Sequence, residues 1–252
     1  MKEIIVASLV FLALAGVSLG VLLSHDRLPA HHRHDDTQNV VRLIANIFVV
    51  MTSLVLGLML NSAKTKFETI NNDVHAFAAD LILLDRALRA YGADADTARR
   101  QLAEYVRRAA DGRWTTGDPN RPSDTTSEQL LDDLGRTVRA LRPPNEAQMA
   151  IWNDARELYR KVLALRWTLV EQAEGSIPLP LLGIVIAWLV LVFASFGYRA
   201  PRNLVVVGSF VGASALVSGA LYMIVDMDEP FKGPISISPA PLQRVLFEVN
   251  KQ

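Results

Sequence analysis

The stretch VVRLIANIFVVMTSLVLGLML, residues 40–60, decides the fold of this chain. It is about as long as the ~20 residues that cross the ~30 Å hydrocarbon core of a bilayer. Three further stretches, residues 4–23, 177–196 and 204–225, have a similar length and composition. A helix buried in a water-soluble domain is rarely apolar on every side over this length. The sequence therefore predicts a membrane protein with four spanning helices.

The four apolar stretches form two pairs that flank a polar segment. Residues 25–39 join the first pair and residues 197–203 join the second, so each pair is predicted to form a helical hairpin. We predict an all-α membrane protein in which two transmembrane helical hairpins flank an α-helical soluble domain. The predicted boundaries are 1–62 for hairpin 1, 63–175 for the soluble helical domain, 176–225 for hairpin 2 and 226–252 for a C-terminal tail. The first stretch has no convincing small-x-small cleavage site, so we expect an uncleaved helix.

The charged residues are concentrated in the polar segment and are nearly balanced there. Residues 64–174 hold 17 of the 26 basic and 18 of the 26 acidic residues, so no basic face indicates nucleic-acid binding. The chain has no cysteine, which excludes disulfides, thiolate metal ligands and cysteine nucleophiles. It also has no nucleophile elbow, zinc-protease helix motif or glycine-rich phosphate loop, so we predict no enzyme activity.

The polar segment has the periodicity of four helices. Apolar residues three or four apart continue from the second span as far as Tyr91. A second helix follows Asp94, Thr125 and Glu128 form a capping box for the third, and Asn145 caps the fourth. No alternating strand pattern is present, and residues 241–249 predict a further short helix. The first and last of the four helices are predicted to run straight into spans two and three.

A polar stripe runs along the second span. Its members fall on nearly one face of a helix with 3.6 residues per turn: Arg42, Asn46, Ser53, Gly57, Asn61 and Lys64. Lipid cannot satisfy such side chains, so they must face protein or water. In an oligomer the stripe would line a pore, with Arg42 and Lys64 as basic rings at its two mouths. Alternatively, Ser53 and Gly57 allow close helix packing while the two cations reach the membrane interfaces.

Small residues recur along the fourth span at steps of four, three and four: Gly208, Gly212, Ala215 and Gly219. This small-xxx-small pattern predicts tight association with another helix. We interpret it as a structural face and not as a site of chemistry.

Histidines are concentrated in the loop between the first two spans. His31, His32 and His34 lie there beside acidic residues, and imidazoles bind transition metals or change charge near neutral pH. They lack the helical spacing that fixes ligand geometry. A solvated polar loop is therefore the alternative interpretation.

An acidic cluster follows the fourth span. We expect no cofactor, although the side chains of Asp226, Asp228 and Glu229 would suit a hard cation such as calcium. Alternatively, these residues end the helix, and Pro230 and Gly233 shape a sharp turn after it.

The segment DMDEPFKGPISI, residues 226–237, resembles the Asp-x-Pro-Phe-x-Gly segment of a bestrophin-like family of bacterial membrane proteins. The order of hairpin, helical domain and hairpin agrees with that family over nearly the whole chain. The resemblance implies a homo-oligomer whose helical domain faces the cytoplasm, because bestrophins are pentameric anion channels with cytoplasmic helical domains. In bestrophins an acidic calcium-binding cluster follows an Asn-Pro-Phe-Gly stretch. Here the acidic residues precede Pro230 and Phe231.

The leading functional prediction is a passive anion channel lined by the second span. Asn46, Ser53 and Asn61 would partly replace the water shell of the ion, and Arg42 and Lys64 would concentrate anions at the mouths. The expected partners are the lipid bilayer, further copies of the chain and inorganic anions. The expected location is the bacterial cytoplasmic membrane.

The alternative prediction is a non-conducting membrane sensor or assembly scaffold that acts through its helical domain. In that case the polar stripe holds helices together, and Gly212 and Gly219 drive association.

Overall fold

The structure is a computed structural model that describes residues 2–24, 35–110, 125–173, 175, 177–198, 200–231 and 233–251. Within these ranges the regular elements are all helical, as predicted. They are α1 (Lys2–Ser24), α2 (Asp35–Tyr91), α3 (Asp96–Ala110), α4 (Thr125–Ala140), α5 (Glu146–Gln172), α6 (Leu179–Gly197), α7 (Leu204–Asp228) and α8 (Ala240–Asn250). One 3-10 turn, Ala93–Ala95, separates α2 from α3.

Four of these helices, α1, α2, α6 and α7, are long and apolar enough to cross a membrane. They contain the four predicted spans, so the predicted all-α membrane class is confirmed. Helix α2 runs for 57 residues without a break. The apolar run of the second span therefore continues directly into the amphipathic run that ends at Tyr91, as the periodicity predicted.

The end of α5 departs from the prediction. Helix α5 ends at Gln172, and a new helix begins only at Leu179, so the last helix of the domain does not run straight into span three. Pro178 is the N-cap of α6, with backbone angles in the extended region. A proline disfavours helical geometry in the residue before it and has no N–H to continue the hydrogen-bond ladder. This proline therefore starts a new helix and cannot continue the old one.

The chain divides into two compact units. The first, called the membrane unit below, comprises Met1–Lys66, Ser176–Asp228 and Lys232–Ile235. The second, called the helical unit, comprises Phe67–Gly175, Glu229–Phe231 and Ser236–Gln252. Helix α2 contributes its first half to the membrane unit and its second half to the helical unit.

In the membrane unit α1 packs against both α6 and α7. The core of this unit is a cluster of buried apolar side chains that includes Val10, Leu14, Val185, Leu189, Leu221 and Ile224. Gly197 lies where α6 meets α1, and a Cβ atom there would be 2.5 Å from the Ser18 carbonyl oxygen. Only glycine permits this approach of the two backbones. Arg202 then donates hydrogen bonds to the Leu22 and Leu23 carbonyls, which satisfies the end of α1.

In the helical unit the second half of α2 packs with α3, α4, α5 and α8. Its core includes Phe77, Leu81, Leu84, Leu102, Tyr105, Leu134, Val162 and Val245. The predicted cap of α5 is confirmed, because the Asn145 side chain accepts a hydrogen bond from the Gln148 backbone N–H at 2.9 Å.

The segment predicted as a C-terminal tail contributes to this core. Leu242, Val245 and Val249 of α8 are buried at helical spacing. Arg89 donates hydrogen bonds from Nη2 to the Glu248 and Val249 carbonyl oxygens, at 3.0 and 3.2 Å. Helix α8 is therefore part of the folded unit and not a free tail, because burial of its apolar side requires packing against the other helices.

Candidate functional site

The predicted polar stripe of α2 lies on the surface of the chain. The residues of the stripe whose side chains the structure describes are all exposed: Asn46, Ser53, Gly57, Asn61 and Lys64. The side chain of Arg42 lies outside the described part. The same helix buries a different face, formed by Ala45, Thr52, Met59 and Ala63. The membrane unit therefore packs against one side of α2 and leaves the stripe uncovered.

Two local observations bear on how the stripe is used. Ser53 donates its hydroxyl hydrogen to the Val49 carbonyl oxygen at 2.8 Å, so its oxygen lone pairs remain for other contacts. Nothing in the described part of the chain lies within 4 Å of a Cβ built on Gly57. Gly57 is therefore not at a close helix contact within this part of the chain. If the stripe serves helix packing, the partner helix must therefore come from a second copy of the chain.

The exposed surface of α2 also carries apolar side chains. Five leucine, isoleucine and valine side chains are more than half exposed: Leu43, Ile47, Val50, Leu54 and Leu58. Val50 lies one turn from Asn46 and therefore borders the stripe, whereas Ile47 and Leu58 lie further round the helix. The apolar surface beside the stripe needs lipid or another protein surface as its neighbour.

The predicted small-residue face of α7 is also uncovered. No described atom lies within 4 Å of a Cβ built on Gly208, Gly212 or Gly219, and Ala215 is exposed. The buried side of α7 instead carries Ser214, Ser218, Leu221 and Ile224. The small residues therefore do not serve the packing of α7 within the described chain. Their association with a helix of another copy stays a prediction.

The acidic residues after the fourth span point to separate backbone partners. Asp226 is buried and accepts a hydrogen bond from the Ile235 backbone N–H at 2.8 Å. Gly233 has a φ of +86°, and a Cβ atom there would overlap the Asp226 carboxylate. The turn that follows α7 is therefore closed around this carboxylate, and only glycine fits at the point of contact.

Asp228 joins three segments of the membrane unit. Its Oδ1 is 3.1 Å from Lys66 Nζ at the end of the α2 span, and its Oδ2 accepts a hydrogen bond from the Ile177 backbone N–H at 3.0 Å. Lys66 also donates to the Asp228 carbonyl oxygen at 3.3 Å. One buried carboxylate thus links α2, the segment before α6 and the end of α7.

Calcium or another metal at the acidic cluster stays a prediction. Among the residues that the structure describes, no three histidine, cysteine, aspartate or glutamate side chains gather closely enough to hold a metal ion. His31, His32 and His34 lie outside the described residues.

The partnership of Lys66 with Asp228 was not found from the sequence, although a signal was present. Lys66 follows Met59 and Ala63 at helical spacing on the buried face of α2, whereas Lys64 lies on the stripe. A lysine on a buried face near a membrane interface needs an anionic partner.

Residues 12–242 match the family described as the bestrophin-like domain. Two solved structures of a bacterial bestrophin homologue from Klebsiella pneumoniae, each with a single mutation, are similar over their whole length. One has a TM-score of 0.65 at 14% identity and covers 99% of this chain and 98% of that one. The other has a TM-score of 0.64 at 16% identity and covers 99% of both chains.

At these identities the likeness to the two structures shows the fold alone. No curated protein matches the chain.

Proposed function

Because this chain belongs to the bestrophin-like family, we propose that it is a homo-oligomeric anion channel whose pore is lined by α2. The proposal places the protein in the bacterial cytoplasmic membrane with its helical domain facing the cytoplasm. The observation that carries it is the exposed polar stripe of α2, which lies beside a packed face of the same helix.

Asparagine side chains inside a membrane helix require a polar neighbour. Asn46 and Asn61 are 15 residues apart, which corresponds to about 22 Å at 1.5 Å per residue. This distance covers most of the ~30 Å hydrocarbon core. A lipid-facing position would leave both amides without hydrogen-bond partners, and a water-filled pore would satisfy them.

The chemistry of the stripe suits an anion. Asparagine amides offer two N–H donors each, which can replace part of the water shell of a chloride ion. The Ser53 hydroxyl hydrogen bonds the helix backbone, so Asn46 and Asn61 would supply the principal contacts. Lys64 would attract anions at one mouth and Arg42 at the other.

A pore of this kind requires several copies of the chain. One copy of α2 presents a single polar side, so closing a pore needs the same side from neighbouring subunits. The exposed apolar surface of α2 and the uncovered face at Gly208, Gly212 and Gly219 are surfaces that assembly could cover. The proposal therefore includes a homo-oligomer.

Purified protein reconstituted into chloride-loaded vesicles tests the proposal. We expect selective chloride efflux with little potassium flux. The Arg42→Glu, Lys64→Glu double variant should lose chloride selectivity, because it reverses both charges at the mouths. Arg160→Glu is the matched control, since Arg160 is exposed on α5 and lies outside the stripe.

Two outcomes would overturn the channel proposal. One is unaltered conductance in a double variant that assembles as the wild type does. The other is the absence of any flux from folded, oligomeric protein, which would favour the membrane sensor or assembly scaffold.

A further inference from the structure

The membrane unit contains a cavity of about 370 Å³ beside α2 and the start of α6. Its volume lies within the ~300–1,000 Å³ typical of small-molecule sites. Val55, Leu58 and Leu181 are among its apolar lining residues, and Ser62, Lys66 and Asp228 are its polar ones. The stripe residues do not line it, so the cavity is a separate feature of α2.

The lining of the cavity changes from apolar to polar along α2. Val55 and Leu58 belong to the apolar run of the second span, whereas Ser62 and Lys66 lie at and beyond its end. From Val55 to Lys66 the helix advances eleven residues, or about 16 Å. The apolar part therefore lies at the depth of the hydrocarbon core, and the polar part lies at the interface.

Lys66 is the more exposed partner of the ion pair at the polar end of the cavity. The Lys66 side chain is 20% exposed, and that of Asp228 is 8% exposed. Both carboxylate oxygens of Asp228 already accept hydrogen bonds, one from Lys66 and one from the Ile177 backbone. A ligand in the cavity can therefore reach the lysine side chain more readily than the carboxylate.

The size of the cavity selects among possible occupants. An α-helix with side chains is at least ~10 Å wide, so a length of about 16 Å fills about 1,250 Å³. A cavity of about 370 Å³ cannot enclose a helix of a second copy, but it can take a smaller apolar group such as one hydrocarbon chain.

From this geometry we infer that the cavity binds one anionic phospholipid of the surrounding bilayer. One acyl chain lies along Val55, Leu58 and Leu181, and the phosphate contacts Lys66 while the Lys66–Asp228 ion pair is kept. The bound lipid joins α2 to the start of α6. This inference rests on the membrane location of the chain and not on ion conduction.

Lipid titration of the purified full chain in neutral detergent tests the inference. Phosphatidylglycerol should raise the unfolding temperature saturably, with one lipid per chain, and phosphatidylcholine with the same acyl chains should not. Lys66→Met should weaken the apparent affinity for phosphatidylglycerol about tenfold or more, because a charge-assisted contact is lost. Lys64→Met is the matched control, since Lys64 is exposed on the stripe two residues away and does not line the cavity.

A second variant tests the apolar part while the ion pair stays in place. Leu181→Trp should fill the cavity and abolish the effect of phosphatidylglycerol in protein that still folds. The inference is overturned if this variant responds to the lipid as wild type does, or if Lys64→Met and Lys66→Met lose affinity equally. It is also overturned if oleate replaces phosphatidylglycerol with the same dependence on Lys66, which would identify a free fatty acid as the ligand. Chloride efflux is measured separately, so failure here leaves the channel proposal intact.

Discussion

The substitution Asp228→Ala removes the carboxylate that links α2, the segment before α6 and the end of α7. Breaking a buried ion pair from one side costs about 3–5 kcal/mol, because the remaining charge stays buried without its partner. Lys66 is 20% exposed, so water can partly solvate its charge, and this lowers the free-energy cost of leaving it without a partner. The Ile177 backbone N–H also loses its acceptor, at a cost of about 1 kcal/mol. We therefore expect a loss of about 3 kcal/mol in the free energy of unfolding.

A loss of this size is measurable as a fall in unfolding temperature. For a chain of about this length 1 kcal/mol corresponds to about 2–4 °C, so Asp228→Ala should unfold about 6–12 °C below wild type. Heating the purified protein in detergent while following the fluorescence of its four tryptophans gives this value directly.

Asp228→Asn separates the charge from the hydrogen bond. Its amide oxygen can still accept from the Ile177 N–H, so we expect a smaller loss than for alanine. The control is Asp154→Ala, an exposed position on α5 where the change should stay within about 0.5 kcal/mol. The reasoning is refuted if Asp228→Ala unfolds within the range of this control.

Two glycine substitutions test close contacts by the same thermal measurement. Gly233→Ala should cost at least about 2 kcal/mol, because it combines a positive φ with overlap on the Asp226 carboxylate; wild-type stability would contradict this account of the turn. Gly135→Ala should lower the free energy of unfolding by about 1–3 kcal/mol, because the new Cβ overlaps the Tyr159 ring and displaces it. Adding Tyr159→Phe should restore part of this stability, and no recovery would contradict the proposed clash.

The spacing of apolar residues and the capping residues predicted most of the helices correctly. The apolar period continued through α2 to Tyr91, and Asn145 begins α5 with the expected side-chain cap. These features depend on residues three or four apart, which a single sequence displays directly. The break before α6 was not predicted, because the last helix of the polar segment was expected to continue straight into the span that begins at residue 177. Pro178, which fixes the break, was the available signal.

Contacts between distant parts of the chain were harder to predict. Lys66 and Asp228 are 162 residues apart, and their pairing depends on how α2 and α7 meet. The sequence left two interpretations of the acidic cluster open, a cation site and a turn that ends the helix. Spacing alone does not assign the carboxylates to backbone N–H groups. The motif DMDEPFKGP, residues 226–234, contains both residues of the turn contact. The sequence alone does not show that its glycine, Gly233, lies against the Asp226 carboxylate.

The packing of α7 and α8 shows a further limit of sequence patterns. Small residues predicted a close helix contact, but α7 packs within the chain through Ser214, Ser218 and Leu221. For α8 the sequence predicted a helix without showing that its apolar side is buried in the helical unit. A pattern shows which side of a helix needs a partner, and the tertiary fold decides which partner it finds.

Cysteine accessibility along α2 tests the central claim most directly, because the native chain has no cysteine. Single variants at a stripe position, Ser53→Cys, and at an exposed apolar position about 120° further round the helix, Ile47→Cys, are reconstituted and treated with a negatively charged, thiol-reactive methanethiosulfonate. The account predicts that Ser53→Cys reacts and loses most of its chloride efflux, while Ile47→Cys stays unmodified and conducts as before. Reaction at Ile47→Cys with block of efflux, and none at Ser53→Cys, would contradict a pore lined by the polar stripe.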